Sequence, residues 1–375
     1  MKKMVNILNS HYISALGDNK EHTINTILSN HKTISSRKIS AIEGTVDVPY
    51  YKLKQSTEIT QKELYPLLKE IVSKSIAGLT DADKKETAIL VGTSIIDLNI
   101  VDAIEKTIYP YKRTEYYSQK RSIDSYAKDL CEELSLNGFT MTINSACTSS
   151  ANAILEASDL IEAGLYKYVV VLGIESFSDM MSSGFYAMQL LSSSKIKPFD
   201  KQREGTILGE AIVSLLLGKE KSDWSIEGGF SNCDSVNITS VSESGTEYVN
   251  VMQKALESAK ITPQQITALK AHATGTFSND IAEINAISKL FSKDLIFTAI
   301  KPYIGHTIGA CGALEIAIFM DCINAGFIPK TINHTDAIIE DYRPLNEHLN
   351  SKEGIFMFNY FGFGGNNTSL ILKKS

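Results

Sequence analysis

The sequence predicts an α/β fold made of two similar halves that pack a pair of buried helices between them. Three observations predict it. Short β-rich apolar runs alternate with helical patterns along most of the chain. The runs are apolar nearly throughout, as in strands covered on both faces, and crossover helices between such strands imply largely parallel sheets. Finally, SSANAILEASDLIEAGLYK (149–167) and GACGALEIAIFMDCINAGFIPK (309–330) share one shape. Each follows a strand and a tight turn, begins with small residues, runs apolar on nearly all sides and ends in Ala-Gly. A helix apolar all round is buried, and small residues in its first turns let another backbone come close.

The elements follow in order. MKKMVNILNSHYISALG carries two lysines, but its apolar stretch is short and broken by Asn and His, so it reads as a first strand and not a signal peptide. ELYPLLKEIVSKSIAGL (63–79) has helical periodicity. TAILVGTS (87–94), FTMTIN (139–144), KYVVVLGIES (167–176) and AIVSLLLGK (211–219) read as strands, with the first buried helix after the second of them. TEYVNVMQKALESAKI (246–261) and DIAEINAISKLF (280–291) read as helices, and ITALKAHATG (266–275), LIFTAIK (295–301) and IFMFNYFGFGG (355–365) as strands. At about 150 residues per domain, the length suits two domains or one two-part fold. The boundary is expected near residue 220, giving halves 1–220 and 221–375.

Composition narrows the function. The chain has 375 residues, 43% hydrophobic and 21% charged, which is ordinary for a globular protein. A net charge of -6 argues against a general nucleic-acid binder. No apolar run reaches the ~18 residues that span a bilayer, so no membrane insertion and a cytoplasmic location are expected. The five cysteines, Cys131, Cys147, Cys233, Cys311 and Cys322, are widely spaced with no CxxC pair. Neither a structural zinc site nor, in a reducing cytoplasm, disulfides are expected.

Cys147 stands apart. In TMTINSACTSSANAI (140–154) an apolar strand runs into it, and a small-residue helix starts there. Helix N-termini collect backbone N–H groups and positive dipole, which favours thiolate and lowers a thiol pKa. Position alone leaves two readings, nucleophile or buried filler. His272 lies at a strand end in ALKAHATGTFSND, where a structural histidine is the commoner finding. His306 lies in KPYIGHTIGACG between a strand and a buried helix, five residues after Lys301. The Gly-Phe-Gly-Gly turn of NYFGFGGNN (359–367) can present N–H groups to an oxyanion, or serve as a loop. All four lie at strand ends, the usual active-site edge of parallel α/β sheets.

These motifs, in this order, resemble the β-ketoacyl-[acyl carrier protein] synthases, condensing enzymes of the thiolase superfamily. SACTSS resembles the family's nucleophile motif, and PFDKQREGTILGEA (198–211) its Pro-Phe-Asp segment. HATGTFSNDIAE and KPYIGHTIGACGALE resemble its two histidine motifs, and NYFGFGGNNTSLIL its closing strand. The resemblance spans nearly the whole chain. It implies a thiolase-like fold, with duplicated α/β halves in αβαβα layers. It also implies decarboxylative condensation of a Cys-bound acyl chain with malonyl-carrier protein to 3-oxoacyl-carrier protein.

The roles it implies are these. Cys147 takes the acyl chain. His272 and His306 assist loss of CO2 from the malonyl thioester. Lys301 pairs with Glu283 to organise them. The N–H groups of Cys147 and Phe363 hold the oxyanion, and Phe363 is also a gate. Thr274, Thr276 and Thr239 contact the pantetheine arm. No metal or cofactor is implied beyond the phosphopantetheine of the carrier protein. Initiating condensing enzymes have Asn where this chain has His306, and degradative thiolases have a late cysteine that GFGGNN lacks.

Three departures bear on substrate range. The chain is short before Cys147, Pro302 follows Lys301 where Ser is usual, and Ala273 and Gly275 replace Gly and Ser. They tilt the reading from housekeeping fatty-acid synthesis towards an aryl-polyene, flexirubin-like or polyketide synthase. Carrier-protein docking by this acidic chain needs a local basic patch. Candidates are Lys62 and Lys69 on the 63–79 helix, Arg203, and the Lys112-Arg113 and Lys120-Arg121 pairs. A homodimer is the family default, with a heterodimer with a chain-length-factor-like subunit as the other arrangement. The alternative to an enzyme is that the chain is itself such a non-catalytic partner. Those lack the nucleophile, and this chain has it.

Overall fold

The computed structural model describes residues 4–30, 34–53, 61–94, 123–234 and 241–375. Thr239, Lys112, Arg113, Lys120 and Arg121 lie outside the described residues, as does the side chain of Lys62.

The strands are β1 (Val5–Ile13), β2 (Ser35–Ala41), β3 (Gly44–Tyr50), β4 (Thr87–Thr93), β5 (Thr140–Ile143), β6 (Tyr168–Glu175) and β7 (Ala211–Gly218). They continue with β8 (Trp224–Cys233), β9 (Ala268–Lys270), β10 (Phe297–Thr298), β11 (Phe327–Ile328), β12 (Leu349–Asn350), β13 (Gly354–Phe361) and β14 (Asn366–Lys374). The α-helices are α1 (Lys20–Ser29), α2 (Gln61–Ser75), α3 (Asp81–Lys84), α4 (Ile123–Glu133) and α5 (Ser149–Glu162). After them come α6 (Asp179–Ala187), α7 (Thr246–Ala259), α8 (Phe277–Leu290), α9 (Lys301–Ile304) and α10 (Cys311–Asn324).

Ten strands form one ladder in the order β10-β9-β13-β14-β8-β1-β7-β6-β4-β5. Outward from the β1–β8 seam, the order β1-β7-β6-β4-β5 on one side is repeated by β8-β14-β13-β9-β10 on the other. Ranked by position in the chain, both read first-fifth-fourth-second-third. The expected largely parallel sheet needs correction. Parallel pairing holds only towards the two ends, at β4–β5, β4–β6, β9–β13 and β9–β10. The five pairings between, from β6–β7 through the seam to β13–β14, are antiparallel. An apolar strand read alone reports that both faces are covered, not which way its neighbour runs.

Burial alternates with the period of two that a pleated strand imposes. Ala88 and Leu90 of β4, with Val169 and Val171 of β6, face the central core beside α5 and α10. The intervening Ile89, Val91, Val170 and Leu172 face outward under α2 and α4. In the other half, Phe356 and Phe358 of β13 join the central core, whereas Met357 lies under α7 and α8. The layers therefore run helix, sheet, paired helices, sheet, helix. Each fully buried Val, Leu or Ile contributes about 1.5–3 kcal/mol of transfer free energy.

The central helices touch at their small-residue starts. A Cβ on Gly312 would lie 2.3 Å from the backbone nitrogen of Ala151, so α10 crosses α5 at a distance only glycine allows. Ser150 Oγ accepts from Ala313 N–H at 3.0 Å across the same crossing. This close approach brings the two helix starts, and the residues just before them, to one place.

Candidate active site

Cys147 sits in a 3-10 turn, Ala146–Thr148, that leads directly into α5. The flanking hydroxyls hold this turn. Ser149 Oγ donates to Ala146 O at 2.6 Å and accepts from Ser145 N–H at 3.0 Å. The single hydroxyl hydrogen of Thr148 is shared between Ser145 O at 2.7 Å and Asn366 Oδ1 at 2.5 Å. Asn152 Nδ2 donates to the same Asn366 oxygen at 2.8 Å. The turn is thus laced to the start of β14. It needs the lacing, because Ala146 has φ 52°, a left-handed conformation that costs a non-glycine residue on the order of 1–3 kcal/mol.

The closing turn completes the cradle. Gly362 N–H donates to Asn366 O at 2.8 Å, bending Phe361 to Asn366 back over Cys147. The backbone N–H groups of Phe363 and of Cys147 itself are both directed at the sulfur. A Cβ on Gly365, at φ 81°, would lie 1.9 Å from Asp234 O, so both conformation and space demand glycine there.

His306 Nε2 lies 3.1 Å from Cys147 Sγ. The rings of His272 and His306 meet edge to face, with centroids 5.4 Å apart. Both histidines and Cys147 are buried, and all three line one cavity of about 330 Å³. Its wall includes Thr274, Thr276, Phe361 and Phe363. Thr274 and Thr276 exchange a hydroxyl hydrogen bond at 2.9 Å. Phe363 is half-buried and packs on Phe185, with centroids 5.5 Å apart.

The electrostatics depart from the sequence expectation for the thiol. Burial pushes Cys147 up to about 11, outweighing the N–H of Phe363 and the charge of Lys301, which both pull it down. The helix start is present, but desolvation wins, and the resting group is the thiol. Burial, then Lys301, His306 and Lys270, hold the His272 imidazole well below its usual range. Burial, then Lys301 and Lys270, do the same for His306. The site therefore rests as neutral thiol and neutral imidazoles, with one imidazole nitrogen in reach of the thiol.

The expected Lys301–Glu283 pair is not formed. Lys301 Nζ bonds Glu315 Oε1 at 2.7 Å and His272 Nδ1 at 3.2 Å. Burial works against the ammonium, but the Glu315 carboxylate outweighs it and holds Lys301 above its usual range. Glu283 accepts from the backbone N–H groups of His272 and Ala273, each at 2.7 Å. It holds the loop that carries His272, not the lysine. Spacing places Glu283 on α8 and Glu315 on α10, and only the packing of those helices decides which acid faces Lys301.

Glu315 and its second partner, Lys270, escaped the sequence reading. Both had a signal. Glu315 is one of only two charged residues in α10, an otherwise apolar helix, and Lys270 ends a wholly buried strand. A lone charge in such surroundings requires a buried partner.

The docking candidates fare differently. Arg203 is 6% exposed, and its guanidinium donates to the carbonyls of Thr276 at 3.2 Å, Asp200 at 3.0 Å and Phe277 at 3.0 Å. It clamps the loop before α8 and presents no surface charge, which corrects its assignment to docking. Lys69 is half-buried on α2 and pairs with Glu133 at 2.5 Å, which offsets its charge. The ligating atoms of Cys147, His272 and His306 lie within 4.8 Å of one another. The Lys301 ammonium at 3.2 Å from His272 makes that spot hostile to a metal cation.

Comparison with known proteins identifies the family. Residues 67–223 match the model of the beta-ketoacyl synthase N-terminal domain, and residues 225–335 that of the C-terminal domain. The chain is 29% identical over 336 residues to 3-oxoacyl-[acyl-carrier-protein] synthase I, chloroplastic, of Arabidopsis thaliana, covering 80% of this chain and 68% of that protein. It is 30% identical over 319 residues to 3-oxoacyl-[acyl-carrier-protein] synthase 2 of Rhizobium meliloti, covering 79% and 76%. The structure superposes on a chain of the complex of the ketosynthase ApeO with its chain length factor ApeC from Xenorhabdus doucetiae. The TM-score there is 0.85, at 26% identity, over 100% of this chain and 98% of that one. With its two family domains in sequence and a thiolase-like ketosynthase fold around a Cys-His-His cavity, the chain belongs to the β-ketoacyl synthase family of acyltransferases.

Proposed function

We propose that the protein condenses a Cys147-bound acyl chain with a malonyl group carried on an acyl carrier protein, releasing CO2 and 3-oxoacyl-carrier protein. The observation that carries this reading is the 3.1 Å approach of His306 Nε2 to Cys147 Sγ inside a cavity that His272 also lines. In the first step the thiol proton passes to His306 as the sulfur attacks the incoming thioester, and the carrier thiol leaves. In the second, the malonyl C–C bond breaks, CO2 departs and its electron pair forms an enolate. The two imidazoles donate to that oxygen. The enolate carbon attacks the acyl-Cys147 carbonyl, and the sulfur leaves. During both attacks the N–H groups of Cys147 and Phe363 stabilise the tetrahedral oxyanion.

Thr274 and Thr276 line the cavity where the pantetheine arm would pass, and Phe363, which lines it together with Cys147, would act as the gate between the nucleophile and the malonyl site. No cofactor enters this chemistry beyond the phosphopantetheine of the carrier protein, because the carbon nucleophile comes from decarboxylation. The names of the curated relatives support a carrier-protein partner. A chain-length-factor-like second subunit, as in the ApeO complex, is favoured over a homodimer by that neighbour and suits polyketide-type or aryl-polyene substrates. We place the enzyme in the cytoplasm with those substrates. Among the described residues no helix is long and apolar enough to cross a membrane.

Intact-protein mass spectrometry tests the reading. Wild type and Cys147→Ala are incubated with acyl-carrier proteins of several chain lengths, alone and with a chain-length-factor-like subunit. One acyl mass on the wild type only is the expected result. Folded wild type that takes no acyl group from any donor, with or without the second subunit, overturns it.

A further inference from the structure

Lys270 closes β9 two residues before His272, and its side chain is wholly buried. Its ammonium bonds Glu315 Oε2 at 2.5 Å and Asn359 O at 3.0 Å, and it stands 3.7 Å from the centroid of the Tyr360 ring. Glu315 therefore carries a lysine on each oxygen, Lys270 on one and Lys301 on the other. Lys301 in turn reaches His272 Nδ1 at 3.2 Å. A continuous buried path runs Lys270, Glu315, Lys301, His272, and it ends in the cavity. His272 Nε2 has no hydrogen-bond partner among the described residues.

Burying two ammonium groups on one carboxylate is costly unless the arrangement is needed. One lysine would neutralise Glu315. With Lys301 alone, the carboxylate could rotate to take that ammonium with both oxygens and draw it from His272. Lys270 occupies the far oxygen and is anchored by Asn359 O and the Tyr360 face, so the near oxygen stays aimed at Lys301.

We propose that Lys270 is a positioning residue that acts through Glu315 and Lys301 to hold His272 as the Nε2–H tautomer aimed into the cavity. This rests on the condensing function proposed above. The charge matters as well as the contact. His272 is faced by Lys301, His306 and Lys270, its backbone N–H is held by Glu283, and Glu315 lies behind Lys301. Removing the Lys270 charge leaves Glu315 less compensated and makes His272 easier to protonate. An imidazolium kept from accepting the Lys301 bond is a disordered donor.

The test uses the full-length protein with Lys270→Met, which keeps length and removes charge, and Lys270→Gln, which keeps a donor for Glu315. Acylation of Cys147 is followed by intact mass, and decarboxylation of malonyl-carrier protein by CO2 release. The expected result is near-normal acylation, kcat for decarboxylation lowered on the order of 100-fold, and little change in KM. The acid limb of the decarboxylation profile should move to higher pH in both variants, a shift that a merely structural loss would not produce. Lys270→Ala should recover activity with added methylammonium, which fits between Glu315, Asn359 O and the Tyr360 ring.

Folded variants that decarboxylate at the wild-type rate with the wild-type pH profile overturn the proposal while leaving the proposed function intact. Wild type that neither acylates nor decarboxylates removes the function itself. If no variant folds, histidine-labelled wild type decides by nitrogen NMR. His272 should stay the neutral Nε2–H tautomer across the neutral range, and a His272 that titrates near its ordinary pKa overturns the proposal.

Discussion

His306 Nε2 stands 3.1 Å from Cys147 Sγ, and burial disfavours charge on both groups. The pair is therefore poised to exchange a proton during attack, and is not a preformed thiolate–imidazolium. Alkylation of Cys147 in the free protein should climb with pH towards about 11, with no plateau near neutrality. The sign follows from the raised pKa: the thiolate appears only as pH rises through it. Iodoacetamide rates with peptide mapping on Cys147 measure this, and a plateau below about pH 8 would mean an activated thiolate after all. His306→Ala should slow acylation by carrier-protein thioesters roughly 100-fold, because the proton acceptor is lost.

Glu283 serves the backbone of the His272 loop, which gives a second prediction. Both its oxygens accept from main-chain N–H groups. Glutamine offers one oxygen, and its amide would point a donor at a donor. Glu283→Gln should destabilise by about 1–3 kcal/mol, the cost of a buried unsatisfied group. Decarboxylation should fall with it, since His272 shifts with its loop. Urea midpoints at constant slope, together with CO2 release, measure the two effects. Unchanged stability and activity would place Glu283 outside the site's support.

The contrast between Glu283 and Glu315 marks how far sequence reasoning reached. Cys147, His272, Lys301, His306 and the glycine turn were legible because each sits where a strand ends, and the fold gathers strand ends at one edge. Partner choice was not legible. It depends on how α8 and α10 pack, and residue spacing within one helix is blind to the other. The Cys147 pKa failed for a related reason: the helix start is local, but the burial that outweighs it comes from β14, α10 and the closing turn. The antiparallel centre of the sheet was hidden likewise, since a fully buried strand looks the same beside either kind of neighbour. Arg203 misled because a charged residue in a polar segment reads as exposed, while its partners are carbonyls that no side-chain pattern reveals.

Gly312 links fold to site. A methyl group there would lie 2.3 Å from the Ala151 nitrogen, in a crossing that cannot open without moving the turn that carries Cys147. Gly312→Ala should cost about 1–3 kcal/mol by overpacking. It should also lower the acylation rate at temperatures where the variant is folded. Thermal melts and single-turnover acylation separate the effects. A variant as stable and as fast as wild type would show that α5 and α10 can part freely.

Arg203 gives the sharpest division between structure and docking. Two of its three carbonyl contacts hold Thr276 and Phe277, which line the cavity. Loss of a buried charged donor set should destabilise Arg203→Ala by about 1.5–3 kcal/mol and raise KM for carrier-protein substrates through loop disorder. If the clamp is the whole role, the salt dependence of KM stays as in wild type, because no exposed charge has been removed. A docking charge predicts the reverse: stability intact, with KM raised at low salt and converging on wild type as salt increases. KM measured across an ionic-strength series, beside a melting curve, tells the two apart, and a stable variant with altered salt dependence would return Arg203 to the docking surface.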